Sequence, residues 1–180
     1  MPEYSIRLAR RDDISRILDI TSKYAFEREE NNSRGTLIPL KRQDVEYLAD
    51  QQRFFVAETN SEVVGCVSLV QRNHSAELRS LVVDEHYRGK GIGSQLINAV
   101  LNEAYKIANE IDNQIYLLAR NPDIFVNAGF EVVSEGNLLQ NEKIWPDKVQ
   151  ADCIDCPIRQ VCPETLLVYH IPRELHRLYL

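Results

Sequence analysis

Apolar residues recur along the chain with two spacings, every second residue in some segments and every third or fourth residue in others. The first spacing is typical of strands and the second of helices. Alternation over Tyr4 to Ala9 predicts a first strand, and a helix is predicted to open at Arg11-Asp12-Asp13. The apolar face of that helix is formed by Ile14, Ile17, Leu18 and Thr21. A strand followed by a helix is therefore the predicted opening unit.

Three consecutive strands are predicted in the middle of the chain. Phe54 to Glu58 and Val63 to Val70 are rich in β-branched and aromatic residues, and the polar residues between them predict an antiparallel hairpin. Ala76 to Asp84 predicts the third of these strands. Before the hairpin, the polar, Asn-rich segment Glu27 to Gly35 predicts a loop that is long enough to form a lid, and Lys41 to Asp50 predicts a second helix.

The second half of the chain continues this alternation. A long helix is predicted after the glycines near residue 90, with its apolar side at Leu96, Ile97, Val100, Leu101, Ala104 and Ile107. Ile115 to Ala119 predicts a strand, and Pro122 opens a short helix through Asn127. The last strands are predicted at Val132-Val133 and Leu166 to His170. Together these elements predict an α/β fold of the α+β type, with a mixed, mostly antiparallel central sheet flanked by helices.

Length and composition limit the classes of protein that fit. A chain of 180 residues with 44% hydrophobic and 27% charged residues predicts one folded domain over 1–180. The order of the predicted elements adds a Cys-bearing insert at about 136–163, before the last strand, and a short tail at 171–180. A net charge of −6 argues against broad binding to nucleic acid or to anionic membranes. Apolar runs such as Leu81-Val82-Val83 are too short to span a bilayer, and Met1 to Arg10 does not have the pattern of a secretory signal. We expect a cytoplasmic protein.

The cysteines are distributed unevenly. Cys66 lies within a predicted strand, whereas Cys153, Cys156 and Cys162 lie within the predicted insert. In a cytoplasmic protein such a cluster is reduced or metal-bound rather than disulfide-bonded. A metal site would need a fourth ligand, for which His170 and Cys66 are candidates. We expect reduced cysteines that pack a loop and no metal, with zinc or an iron–sulfur cluster as the alternative.

The most specific motif is the segment Arg88 to Ser94, which reads RGKGIGS between a predicted strand and a predicted helix. Glycines allow tight backbone curvature, so that successive N–H groups converge on an anion at the positive end of the helix. The segment lacks the lysine-serine ending of a Walker loop, and the antiparallel strands before it disfavour a dinucleotide-binding unit. We therefore predict a phosphate site, and the alternative is a glycine-rich turn with no ligand.

Two charged residues interrupt an apolar strand. Glu77 and Arg79 are two residues apart, so they point to the same face of the predicted strand. A structural ion pair or a solvated strand face is one interpretation. The other is a site in which the carboxylate manages a proton and the guanidinium holds an anionic substrate.

At these residues the chain resembles the GNAT superfamily of acyl-CoA-dependent N-acyltransferases. The resemblance rests on Leu81 to Asp84 leading into Tyr87 to Gly93, and on Asn121 to Phe130 with its closing Ala-Gly-Phe. Within the superfamily the chain is most similar to short, stand-alone N-acetylglutamate synthases. The segments that carry this closer similarity are Phe54 to Glu58, Val64 to Cys66, Glu77 to Leu81, Lys143 to Trp145 and Asp152 to Pro157.

The resemblance implies acetyl-CoA as co-substrate. The loop amides would hold the pyrophosphate, and main-chain groups of the strand before the loop would hold the pantetheine arm. The implied cofactor-binding residues are Leu81, Val82, Val83, Arg88, Gly89, Lys90, Gly91, Ile92, Gly93, Ser94, Asn121 and Phe125. Phe125 stands where many relatives place a Tyr that protonates the departing sulfur, and Tyr116 is the substitute acid that we consider.

The implied reaction is acetyl transfer from acetyl-CoA to the α-amine of glutamate or a related small amino acid. Glu77 is the predicted catalytic residue, removing a proton from the amine through water, and Arg79 with Ser80 is predicted to bind the substrate. Lys41 and Arg42 are further candidates for the carboxylates, although a solvated helix face is their more ordinary role. The alternative acceptors are another small amine and a protein N-terminus, and a homodimer is among the assemblies considered. A CoA-binding sensor without catalysis and a metal-dependent regulatory module are the alternatives of a different class.

Overall fold

The computed structural model of the chain describes residues 4–25, 40–135, 145 and 164–172. The predicted lid Glu27 to Gly35, the cysteines at 153, 156 and 162 and most of the predicted tail therefore lie outside the described residues. The strands are β1 (Ser5–Leu8), β2 (Phe54–Thr59), β3 (Glu62–Arg72), β4 (Ser75–Val83), β5 (Gln114–Ala119), β6 (Glu131–Glu135) and β7 (Thr165–His170). The helices are α1 (Ile14–Ala25), α2 (Arg42–Asp50), α3 (Ile92–Lys106) and α4 (Asp123–Val126). Short 3-10 turns cover Arg11–Asp13, Glu85–Tyr87 and Ala108–Glu110.

The strands form a mixed sheet in the order β1-β2-β3-β4-β5-β7-β6. The pairs β1–β2, β2–β3, β5–β7 and β6–β7 are antiparallel, whereas β4 and β5 are parallel. A mixed, mostly antiparallel sheet with flanking helices was the fold expected from the sequence, and it is confirmed. The sequence did not predict that β7, the last strand in the chain, lies between β5 and β6.

The predicted hairpin is present and has a tight turn. Thr59 pairs with Glu62 across it, and the two residues of the turn, Asn60 and Ser61, have φ values of 47° and 64°. Two successive residues with positive φ are characteristic of a type I′ turn, whose twist matches that of the strands. The turn residues thus set the pairing of β2 with β3.

The described residues fall into two compact units. One unit contains 4–25, 40–70 and 78–104, and the other contains 71–77, 105–135, 145 and 164–172. In the first unit α1 and α2 contribute to one apolar cluster with β2 and β3. Its fully buried members include Ile17, Val45, Phe54, Val56 and Cys66. Buried side chains of the second unit include Ile111, Ile115, Leu117, Leu166 and Leu167. That the chain is one domain stays a prediction.

Arg7 joins the start of the chain to β2. Its guanidinium donates to both carboxylate oxygens of Asp13, at 2.6 and 2.9 Å, and its Nε donates to Glu58 Oε2 at 2.7 Å. Asp13 also accepts a hydrogen bond from the Arg10 N–H at 2.7 Å. Burial tends to raise the pKa of Asp13, but the hydrogen bonds from Arg7 and Arg10 outweigh it and hold this pKa below its usual value.

We expect Asp13→Asn to remove stability that depends on pH. Because the pKa of Asp13 is lower in the folded chain, its stabilisation is complete above the unfolded pKa of about 3.9 and is lost as pH falls through the folded pKa. Urea unfolding at pH 7 should show a loss of about 1 to 2 kcal/mol in the variant, since asparagine keeps the shape of the buried Asp13 side chain but loses its charge-assisted hydrogen bonds. The difference should shrink below pH 4. Asp12→Asn, at an exposed neighbour, is the control, and an equal loss at both pH values would contradict this account.

Candidate active site

The glycine-rich loop connects β4 to α3 through a capped turn. Asp84 precedes the 3-10 turn Glu85–Tyr87, and its Oδ1 accepts a hydrogen bond from the His86 N–H at 3.2 Å. Gly89 and Gly91 then have φ values of 76° and 80°, a region that is costly for residues with a Cβ atom. Because α3 begins at Ile92, the N–H groups of its first turn have no acceptor within the helix. The loop therefore presents backbone donors at the positive end of α3, as a phosphate site requires.

The two cations of this loop are held by aromatic rings. The guanidinium carbon of Arg88 lies 4.6 Å from the ring centre of Tyr24, and the Arg88 Nε donates to the Val83 carbonyl at 3.0 Å. The Lys90 Nζ lies 5.2 Å from the ring centre of Tyr87. Tyr24 is a residue of α1, and its hydroxyl accepts a hydrogen bond from the Glu85 N–H at 2.9 Å. The end of α1 thus contacts the turn and the glycine loop through Tyr24, and the adjacent Lys23 Nζ donates to Glu85 Oε1 at 2.7 Å.

β4 contains a residue whose backbone is not extended. Ser80 has a φ of 60°, although it is neither glycine nor asparagine. The carbonyl of Ser80 accepts from the Cys66 Sγ at 3.7 Å, and the carbonyl of the preceding Arg79 accepts from the Ser68 Oγ at 3.1 Å. Both donors are fully buried on β3. Side chains of β3 therefore stabilise β4 where its backbone leaves the strand conformation.

β3 and β4 also approach each other closely beyond this residue. A Cβ atom on Gly65 would lie 2.9 Å from the carbonyl oxygen of Val82, so only glycine fits without a shift of the backbone. The Asp84 N–H donates to the Val64 carbonyl at 2.8 Å. Val82 is buried, whereas Leu81 and Val83 are half-buried. The end of β4 is thus fixed by backbone contacts immediately before the glycine loop.

Glu77 is buried in an ion pair. The Arg72 Nε donates to Glu77 Oε2 at 2.6 Å, and the two side chains are 15% and 4% exposed. In the parallel pairing of β4 with β5, Glu77 lies opposite Tyr116. The Tyr116 ring stacks on Trp145 with 5.1 Å between ring centres, and its hydroxyl donates to Gln114 Oε1 at 2.8 Å. Burial raises the pKa of Tyr116, so its hydroxyl keeps its proton at neutral pH.

Comparison with known proteins identifies the family of this chain. Residues 50–132 match the acetyltransferase (GNAT) domain model. An uncharacterized N-acetyltransferase of Chlorobaculum tepidum is 33% identical over 167 residues, which are 91% of this chain and 94% of that protein. The chain belongs to the GNAT family of N-acetyltransferases. It is an acyl-CoA-dependent acetyltransferase, and acetyl-CoA is its co-substrate.

Solved structures share the fold of this acetyltransferase. A Mycobacterium tuberculosis protein crystallised with CoA superposes with a TM-score of 0.69 at 18% identity, covering 93% of this chain and 99% of that one. The N-acetylglutamate synthase of Neisseria gonorrhoeae, complexed with coenzyme A and N-acetyl-glutamate, gives 0.70 at 22% identity. That match covers 94% of this chain but 35% of the synthase chain. At these identities the likeness establishes the fold alone.

The predicted site residues of the acetyltransferase lie in different surroundings. Arg79 is half-buried, Ser80 is buried and Asn121 is exposed. Phe125 is buried against Phe130, with their ring centres 5.9 Å apart at an interplanar angle of 77°. Phe125 therefore contributes to apolar packing and supplies no proton. The predictions that Asn121 and Phe125 bind cofactor stay predictions.

Arg42 takes part in helix contacts. It lies in the first turn of α2, where its guanidinium donates to the Ser15 Oγ at 3.3 Å and lies 3.8 Å from Glu46 one turn later. Lys41 precedes the helix and is exposed. These contacts favour the solvated helix face over a role in carboxylate binding.

Neither a cluster of metal-ligand side chains nor a membrane-spanning helix occurs among the described residues of the acetyltransferase. Within the described ranges no group of three or more His, Cys, Asp or Glu side chains is placed to hold a metal ion. The three clustered cysteines lie outside those ranges. None of the described helices is both long and apolar enough to cross a bilayer.

Sequence reasoning missed Arg72, Ser68 and the function of Cys66. The sequence could have predicted Arg72 as a neighbour of Glu77, because a two-residue turn at Asn73-His74 places the two residues close together in a hairpin. Cys66 and Ser68 had none, since a pattern of apolar and polar residues does not reveal that Ser80 has a positive φ. Burial raises the pKa of the Cys66 thiol to about 12, so this cysteine is structural rather than nucleophilic.

We expect Gly91→Val to weaken CoA binding at least tenfold, or about 1.4 kcal/mol. A β-branched residue tolerates the positive φ of Gly91 poorly, so the loop amides would lose their alignment. Gly91→Asn is the matched variant, because asparagine adopts a positive φ more readily than valine does. This variant should therefore lose less CoA affinity. Calorimetric titration with CoA measures both, and thermal unfolding checks the fold. Full affinity in a folded Val variant would exclude this loop as the cofactor site.

Proposed function

We propose that the acetyltransferase moves the acetyl group of acetyl-CoA to the α-amine of glutamate or a related small amino acid, in cytoplasmic amino-acid biosynthesis of the arginine type. The observation that carries this proposal is the presence of two charged residues in the apolar strand β4. Glu77 is buried, and Arg79, two residues later, is half-buried. It is supported by the shared fold with a synthase that was solved with CoA and N-acetyl-glutamate.

Glu77 is proposed as the proton acceptor. The amine of an amino acid is largely protonated at neutral pH and attacks a thioester only as the free base, so a proton must leave first. The hydrogen bond from Arg72 fixes Glu77 Oε2 and with it the orientation of the carboxylate. We assign proton removal to this carboxylate, acting through an ordered water because the side chain is almost fully buried.

The acetyl transfer forms one carbon–nitrogen bond and breaks one carbon–sulfur bond. The amine nitrogen attacks the thioester carbon, the carbon–sulfur bond breaks, and CoA leaves as thiol or thiolate. A backbone N–H near Val82 or Val83 is proposed to stabilise the oxyanion, in the segment that follows the positive φ of Ser80. Tyr116 is a weaker candidate for the acid, because its hydroxyl already donates to Gln114.

The acceptor is proposed to be held through its carboxylates. A guanidinium binds a carboxylate with two parallel hydrogen bonds, which favours a dicarboxylic amino acid over a simple amine. Arg79 is the proposed clamp, with Ser80 beside it. The assay that tests this substrate class reads the thiol released from acetyl-CoA in the presence of single amino acids. A signal with peptides alone would move the acceptor to a protein N-terminus, and CoA binding without turnover would indicate a sensor.

We expect Glu77→Gln to lower kcat about 100-fold and to affect the rate most at low pH, because less of the amine is free base there. Glutamine keeps an oxygen that can accept from Arg72, so the fold should survive. Steady-state rates between pH 6 and 9 measure the effect, and the KM for acetyl-CoA should not change. Glu62→Gln, at an exposed carboxylate, is the control. A wild-type pH–rate profile in the Glu77 variant would remove this residue from the mechanism.

We expect Arg79→Ala to raise the KM for glutamate by about 30- to 150-fold, since a charge-assisted bidentate contact is worth roughly 2 to 3 kcal/mol. The KM for acetyl-CoA should stay nearly the same. Arg79→Lys keeps the charge but loses the fork, and it should recover part of the loss.

The deciding comparison for Arg79 uses glutamate, glutamine and an alkyl amine as acceptors. If wild type uses the alkyl amine as well as glutamate, or if Arg79→Ala affects all three alike, the dicarboxylate assignment fails.

A further inference from the structure

Arg120 has a buried donor that no residue in the described part of the chain satisfies. The residue directly follows β5 and is half-buried, and its Nε is fully shielded from solvent. Among the described residues this Nε has no hydrogen-bond partner. Leaving a charged donor buried in this way is unfavourable, because the group loses its hydrogen bonds to water and gains none in return.

Other half-buried arginines of the described chain are paired. Arg7 contacts Asp13 and Glu58, and Arg72 contacts Glu77 through its Nε. The chain therefore supplies carboxylates to arginines where burial demands it. At Arg120 no described residue accepts from the buried Nε, so contacts among the described residues do not account for this donor. A guanidinium with an unsatisfied, desolvated N–H is an arrangement suited to an oxyanion from outside the chain.

We propose that Arg120 is a ligand-binding residue whose guanidinium holds an oxyanion through Nε and a neighbouring Nη. Two sources share this chemistry, a carboxylate of the acceptor and a phosphate group of acetyl-CoA. Both present oxygens at the spacing of the guanidinium fork, and neither is bound equally well by lysine. The carboxylate source rests on the proposed function, whereas the phosphate source does not.

Three variants separate these possibilities. Arg120→Met removes charge and donors at similar length, Arg120→Lys keeps the charge without the Nε donor, and Arg11→Met removes an exposed arginine that pairs with Asp50. Each variant is titrated calorimetrically with CoA and assayed for its KM for glutamate. Thermal unfolding without ligand supplies a third readout. We expect Arg120→Met to leave the melting temperature unchanged or higher, because a costly buried donor is gone.

A loss of CoA affinity of about 10- to 100-fold in Arg120→Met, with an unchanged KM for glutamate, assigns the phosphate source. The same loss in the KM for glutamate, with unchanged CoA affinity, assigns the carboxylate source. In either case Arg120→Lys should recover only part of the loss and Arg11→Met should match wild type. Unchanged CoA affinity together with an unchanged KM overturns the proposal, as does a lowered melting temperature without a change in either.

The experiments distinguish failure of the proposed acetyl transfer from failure of the ligand-binding role proposed for Arg120. If the wild-type protein acetylates no amino acid, the proposed function is wrong. The CoA titration alone then tests the ligand-binding role of Arg120. Unchanged CoA affinity in Arg120→Met would in that case overturn the assignment.

Discussion

The positive φ of Ser80 is the constraint on which the arrangement of β4 depends. A non-glycine residue in this conformation costs on the order of 1–3 kcal/mol, and surrounding contacts must maintain it. Here the contacts come from β3, whose Cys66 and Ser68 donate to two successive carbonyls of β4. The charged residues Glu77 and Arg79 precede this point, and the backbone segment assigned to the cofactor follows it. One strained residue thus separates the part of β4 proposed to carry side-chain chemistry from the part proposed to offer main-chain groups.

The ion pair of Arg72 with Glu77 follows a different principle. Burying two charges costs several kcal/mol of desolvation each, and their attraction returns this only with good geometry, so such a pair is weak evidence for stability. What the pair does supply is orientation, because the 2.6 Å hydrogen bond fixes one carboxylate oxygen. The residue opposite Glu77 in the ladder is Tyr116, which is itself held by Trp145 and Gln114. Arg72 thus restricts the carboxylate of Glu77, while Trp145 and Gln114 restrict the ring of its ladder neighbour Tyr116.

The elements that the sequence predicted are those with strong local signals. Alternation gave β2, β3 and β4 to within two residues at each end, and the glycine spacing placed the loop before α3 correctly. The position of β7 between β5 and β6 was not predictable, because strand order depends on contacts across 30 or more residues and not on periodicity. At the site, strand geometry predicts a shared face for Glu77 and Arg79, and this stays a prediction. The partner of Glu77 could have been inferred from the turn at Asn73-His74, whereas the positive φ of Ser80 depends on tertiary contacts that a linear pattern does not encode.

The burial of Cys66 has a practical consequence for measuring this enzyme. Acetyl transfer releases a thiol from CoA, and aromatic disulfide reagents detect thiols through their thiolate form. A thiol with a pKa of about 12 is almost entirely protonated at pH 8, and the Cys66 side chain is fully buried. This cysteine is chemically silent under the conditions in which free CoA reacts rapidly. In a variant that lacks Cys153, Cys156 and Cys162, a slow rise in signal would report opening of the β3–β4 pair around Cys66, so one reagent would follow catalysis on the short timescale and local unfolding on the long one.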